Sequence, residues 1–185
     1  MTVSTKSKKN ELWEWSKALI IAIGLAYFIR SFLFAPYVVD GHSMETTLHD
    51  QERVFVNKLV YLVSGPKRGD IIVFHATKEK DFVKRVIGLP GDKVQVKDDL
   101  LYINDQKVDE PYIETEKQQF EKQGKMFTGD FGPVEVPQGK IFVMGDNRQN
   151  SLDSRFEKQL GPVDESQIVG RSEFVFWPLT NIRKS

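Results

Sequence analysis

Cysteine is missing from all 185 residues of the chain, which excludes disulfides, thiolate metal sites and thiol catalysis. Net charge is missing as well: 26 Lys and Arg offset 26 Asp and Glu. No polyanion-binding signature is present, so nucleic acid is not an expected partner. Histidine is scarce, and His42, His49 and His75 lack the spacing of metal ligands, so neither a metal nor another cofactor is expected. What remains is ordinary for a folded globule, 40% hydrophobic and 28% charged with thirteen Phe to fill a core. The length suits an N-terminal segment followed by one domain of roughly 150 residues.

Long apolar runs are absent except for one. Residues 18–34, ALIIAIGLAYFIRSFLF, are apolar apart from Arg30 and Ser31. A bilayer core takes about 20 apolar helical residues; the run qualifies as a transmembrane anchor with Arg30 near one end, its guanidinium snorkelling into the headgroups. Trp13 and Trp15 sit where interfacial aromatics belong. Lys6, Lys8, Lys9 and Lys17 precede the run, whereas residues 35–52 contain no Lys or Arg. The positive-inside bias thus predicts a cytoplasmic tail over 1–17, a single-pass anchor in the cell membrane over 18–34, and an extracytoplasmic domain over 35–185. A cleaved secretory signal fits less well, because Ala35 is flanked by bulky Phe34 and by Pro36. The one-sided lysines argue against a buried helix of a soluble protein.

Beyond Pro36 the pattern changes to short strands: 54–56, 71–74, 82–87, 94–96, 100–104, 141–144 and 174–177. Gly, Pro, Asn and Asp clusters separate them, and residues 101–108, LYINDQKV, read as a tight hairpin. The expected fold class is mainly β, an antiparallel, partly closed domain behind the transmembrane helix. Residues 114–132, polar and punctuated by Gly124, Gly129 and Gly132, read as a surface loop.

Three places carry side chains suited to chemistry. Ser43 follows Gly41 and His42 shortly after the apolar run, and its backbone N–H ends a glycine-containing turn where it can face an oxyanion. Lys84 has Phe82 and Val86 as its i±2 neighbours. If that face is buried, desolvation lowers the amine pKa from about 10.4 and makes it a general base. Arg85 also has apolar neighbours, but arginine stays protonated, so lysine alone is able to take a proton. The third place is residues 145–155, GDNRQNSLDSR, an Asx-rich turn after the apolar run 141–144. There a hydroxyl such as Ser151 is suited to fixing the amine, and Asp153 to pairing with Arg155 or Arg85. A Ser-His-Asp triad would have to use His49 or His75, since His42 is adjacent to the serine.

Four stretches, residues 43–48 (SMETTL), 68–71 (RGDI), 84–92 (KRVIGLPGD) and 145–155, in this order behind an anchor, resemble the bacterial type I signal peptidases, and the single span resembles their Gram-positive branch. The resemblance implies a β domain of signal-peptidase type and a membrane-anchored Ser-Lys endopeptidase that removes signal peptides from secretory preproteins after Ala-X-Ala-like sites. By matching position it implies Ser43 as nucleophile and Lys84 as general base. Ser151 would orient the amine, Asp146, Asp153, Arg155 and Arg85 would hold the site, and Met44 and Val83 would line the pocket for small side chains. Expected partners are preproteins and membrane lipid, and the expected state is a monomer. The chain departs from the family's pattern at Thr46, where proline is usual, and Gly41 removes a hydroxyl that some members direct at the oxyanion. Two competing expectations are a self-cleaving Ser-Lys repressor, which should be soluble and carry a DNA-binding segment, and a non-catalytic tethered β adaptor.

Overall fold

The protein is described here by a computed structural model covering residues 8–28 and 34–185. Helix α1 spans Lys8–Phe28, so it begins ten residues ahead of the expected anchor. Of that anchor, residues 18–28 lie in α1 and residues 29–33, with Arg30, lie outside the described residues. Among the described residues no helix is long and apolar enough to cross a membrane; Glu11, Glu14 and Lys17 occupy the first half of α1. Residues 13–27 are exposed throughout, including Trp13, Trp15, Leu19, Ile20, Ile21 and Ile23.

The rest is mainly β, as expected, with every pairing antiparallel. Strands β1 (Phe34–Val38), β2 (Arg53–Asn57), β3 (Ile71–His75), β4 (Asp81–Gly88), β9 (Lys140–Met144), β10 (Val163–Asp164), β11 (Ile168–Trp177) and β12 (Arg183–Lys184) form one sheet. Its order is β1-β2-β11-β3-β4-β9-β10, with β12 also on β11. Strands β5 (Lys93–Lys97), β6 (Leu100–Ile103), β7 (Gln106–Lys107) and β8 (Phe131–Glu135) form a second, in the order β7-β6-β5-β8. The continuous apolar run in β3 follows from its central place, since Ile71 to Phe74 are buried on both faces.

The predicted hairpin is the β6–β7 turn. Asn104 and Asp105 both have positive φ, 53° and 63°, and Ile103 pairs with Gln106. Two central residues in that region match the right-handed strand twist. Strands β1 and β8 escape a sequence reading because each contains a proline; both end their sheets, where a missing N–H is tolerated.

The segment expected to be a surface loop is partly built. After the short helix α2 (Val60–Val63), helix α3 spans Glu114–Glu121 with no buried residue, so it shows no apolar stripe. After it, Phe127 is buried against Phe120, with ring centroids 5.1 Å apart. The Asp99 carboxylate fixes the return by accepting the N–H groups of Phe127, Thr128 and Gly129 at 2.7–3.0 Å.

Between β1 and β2 the chain makes a turn over residues 41–49 that hangs from the core. Met44 and Leu48 are buried with Val39, Val54, Val56, Ile71, Val73 and Val175. The neighbouring strand β4 is covered unevenly. Residues 81–85 all pair with β3, but β9 pairs only with Arg85, Val86 and Gly88. One edge of Asp81–Lys84 is therefore free of any strand beside the turn.

Candidate active site

Hanging the turn from Met44 and Leu48 brings Ser43 to the open part of β4. Lys84 Nζ lies 2.6 Å from Ser43 Oγ and donates to it, and also to the Val83 carbonyl at 3.1 Å. The lysine is only 3% exposed, with its amine 5.0 Å from the centre of the Phe82 ring. Burial pushes its pKa down to about 8; Asp153 and Asp146 oppose that shift and Arg155 adds to it. Desolvation outweighs two carboxylates because neither of them contacts the amine and each is engaged by its own arginine.

Those pairs divide as follows. Arg85 forks onto Asp146, Nε to Oδ1 at 2.9 Å and Nη2 to Oδ2 at 2.6 Å, and Thr47 Oγ1 donates to the same carboxylate at 2.5 Å. Asp153 pairs with Arg155, at 2.8 and 2.9 Å, so of the two arginines left open by the sequence the structure assigns Arg155. Asp153 also accepts the Gly145 N–H at 3.0 Å. Both carboxylates are buried, where one-sided removal of a partner is costly.

Ser151 differs from expectation. Among the described residues its Oγ is buried without a hydrogen-bond partner, and the Lys84 amine turns to Val83 instead. The hydroxyl packs against Gly145, where an added Cβ would fall 2.3 Å from Ser151 Oγ and 2.4 Å from the Ser43 carbonyl oxygen. Only glycine fits between the Ser43 turn and the loop. Asn147 closes this contact, its N–H donating to Ser43 O and its side-chain amide to His42 O, each at 3.0 Å. Among the described residues no acceptor engages the Ser43 N–H.

A cleft of about 360 Å³ opens beside the pair, lined by Gly41, Ser43, Met44, Phe82, Val83 and Leu152 among others. Met44 and Val83 thus both line it, although Met44 is chiefly a core residue. A larger cleft, about 520 Å³, lies away from this chemistry between α3 and the β6–β7 hairpin, among mixed charges. No histidine joins Ser43: His42 bonds Glu45 at 2.8 Å and His75 bonds Asp81 at 2.6 Å. Among the described residues no group of side chains is arranged to hold a metal ion.

Residues 12–177 match the family model described as signal peptidase, peptidase S26. The chain belongs to the signal peptidase family.

It is accordingly a hydrolase, a serine endopeptidase of the signal peptidase I type. A signal peptidase I of Bacillus licheniformis is 56% identical over 180 residues, covering 97% of this chain and 96% of that one. Signal peptidase I T of Bacillus subtilis is 54% identical over 183 residues, covering 98% and 94%. The crystal structure of a signal peptidase I from Enterococcus faecalis matches with a TM-score of 0.52 at 36% identity. That match covers 58% of this chain and 97% of the other.

Sequence reasoning missed part of this signal peptidase's site. Thr46, the residue at which the chain departs from the expected pattern, donates its hydroxyl to Tyr112 O at 3.2 Å, a tether that a proline side chain does not provide. Glu110, inconspicuous in a polar stretch, holds Arg148 through a buried ion pair at 2.5 Å. No local signal marks either contact, because both partners lie far along the chain.

Proposed function

We propose that Ser43 and Lys84 form the catalytic dyad of a membrane-anchored signal peptidase that cuts after small residues. The observation that carries the proposal is a buried amine, lowered to a pKa of about 8, within 2.6 Å of a serine hydroxyl. In the neutral form the Ser43 hydroxyl donates to the Lys84 lone pair, and one amine N–H goes to Val83 O. Ser151, the unpartnered hydroxyl of the loop, takes the second N–H after a small shift of the amine.

The cleavage segment adds as a strand along the free edge of Asp81–Lys84, its small side chains entering the cleft beside Met44 and Val83. Lys84 removes the Ser43 proton while Oγ attacks the scissile carbonyl carbon, and the oxyanion faces the free Ser43 N–H. The C–N bond breaks as the lysine ammonium returns the proton to the leaving amine, which leaves an acyl ester on Ser43. Water then loses a proton to Lys84 and attacks the ester, and that proton restores the Ser43 hydroxyl. Arg85–Asp146 and Arg155–Asp153 keep the carboxylates off the amine.

The segment from Ala18 onwards anchors the enzyme, with the tail over 1–17 cytoplasmic, the domain over 35–185 outside the cell membrane and a monomer sufficient for catalysis. Support for lipid contact comes from the exposed apolar side chains of α1 and from Phe174, Trp177, Leu179 and Ile182, exposed along β11 and the segment after it. The test is cleavage of an Ala-X-Ala precursor by detergent-solubilised protein. Ser43→Ala and Lys84→Ala are each expected to abolish cleavage without unfolding the domain. Equal cleavage by all three proteins would remove both residues from the mechanism.

A further inference from the structure

The segment Glu110–Tyr112 belongs to neither strand layer of the site, yet it touches each of the three catalytic stretches. The Arg85 guanidinium sits over the Tyr112 ring, its central carbon 4.0 Å from the ring centre. The Tyr112 carbonyl accepts the Thr46 hydroxyl, three residues beyond Ser43. Its hydroxyl donates to Glu110 at 2.7 Å, and Glu110 carries the buried Arg148, whose Nε donates to the Gly145 carbonyl at 3.0 Å. Gly145 is the residue wedged between Ser151 and Ser43. The lysine strand, the nucleophile turn and the 145–155 loop thus share one anchor, far from all three in sequence.

We propose that Tyr112 is a positioning residue of the proteolytic site, holding Arg85 and the Ser43 turn in register with the 145–155 loop. The proposal rests on the Ser43–Lys84 reading above. Tyr112 does not act on the reacting atoms: no hydrogen bond joins it to Ser43 or Lys84. Burial and the neighbouring Glu110 carboxylate push its hydroxyl pKa upward, so it stays a neutral donor. Its effect runs through Arg85. The charged groups facing the Lys84 amine are Asp146, Asp153 and Arg155, and Arg85 neutralises the first of them. Without the ring, water reaches the guanidinium and the Arg85–Asp146 fork loosens. The freed Asp146 charge then favours the ammonium form of Lys84.

The test measures cleavage of an Ala-X-Ala peptide across pH by the full chain in detergent, comparing Tyr112→Leu, Tyr112→Phe and Ser43→Ala with the unaltered protein. Tyr112→Leu is expected to lower kcat by about 10- to 100-fold, with KM changed by less than about twofold. The rising limb of its pH profile is expected to move to higher pH. Tyr112→Phe keeps the ring over Arg85 and is expected to restore most of kcat and return the limb. Circular dichroism gives the folded fraction of each variant, to which rates are scaled. An unchanged kcat and limb in Tyr112→Leu overturns the proposal. So does a loss that vanishes on scaling, a loss confined to KM, or a Tyr112→Phe variant as impaired as Tyr112→Leu. A Ser43→Ala variant that still cleaves overturns the dyad instead, whatever Tyr112 does.

Discussion

At the scale of the residue, the decisive quantity is the free energy of charging one amine. Lys84 has a folded pKa of about 8 against an ordinary 10.5, so between those values the unfolded chain holds a proton that the folded one has released. Stability therefore rises with pH across that window, and below pH 8 the buried ammonium is a standing cost. Replacing Lys84 with Met is expected to stabilise the protein by about 1–3 kcal/mol at pH 7. That gain should shrink above pH 10, as thermal melts at the two pH values would show. Cleavage by the unaltered enzyme should rise with pH and reach half its maximum near 8. Gly145 sets a steric limit at the same scale. A Gly145→Ala Cβ meets Ser43 O at 2.4 Å, so the turn must shift, and peptide cleavage is expected to fall by at least about 100-fold while the melting curve stays cooperative.

At the scale of the element, the Ser43 turn is held at both ends. Its start is fixed by the Gly41 N–H donating to Asp50 at 2.8 Å, with Gly41 at φ +98° where a side chain would be strained. Its end is fixed by Glu52, buried and forked by Arg183 of β12 at 2.7 Å to each oxygen. Arg183 also donates to Thr47 O at 2.7 Å, so a strand near the chain's end braces the turn near its beginning. Arg183→Met leaves Glu52 buried and unpaired, and is expected to cost about 1–3 kcal/mol in urea unfolding, with Arg183→Lys recovering part of it. The strands were legible at this scale: β2 to β6, β9 and β11 each contain an apolar run of expected period. Strands β1 and β8 were not, since each carries a proline, tolerated because each strand ends its sheet with one side unpaired. Nor was α3, because a helix that buries none of its side chains has no apolar stripe to read.

At the scale of the whole molecule, the core and the N-terminal helix are independent. Every member of the three core clusters lies between Val39 and Val175, while residues 13–27 are exposed throughout. A fragment of residues 34–185 is therefore expected to unfold in urea within about 0.5 kcal/mol of the full chain. Its flotation with phospholipid vesicles should fall, because the apolar surface of α1 has gone with it.

The order of apolar and polar residues was enough to determine the antiparallel β class and to mark Ser43 and Lys84 as candidates for chemistry. Those properties depend on period and on which side chains are able to give up a proton. Tertiary structure alone decided the distance from Ser43 to Lys84, the choice of Arg155 rather than Arg85 for Asp153, and the anchoring by Glu110, Tyr112 and Arg183. Each of these depends on contacts between residues tens of positions apart. Alternation along a strand says that a face is buried; which groups meet across it is set by how turns and sheets pack.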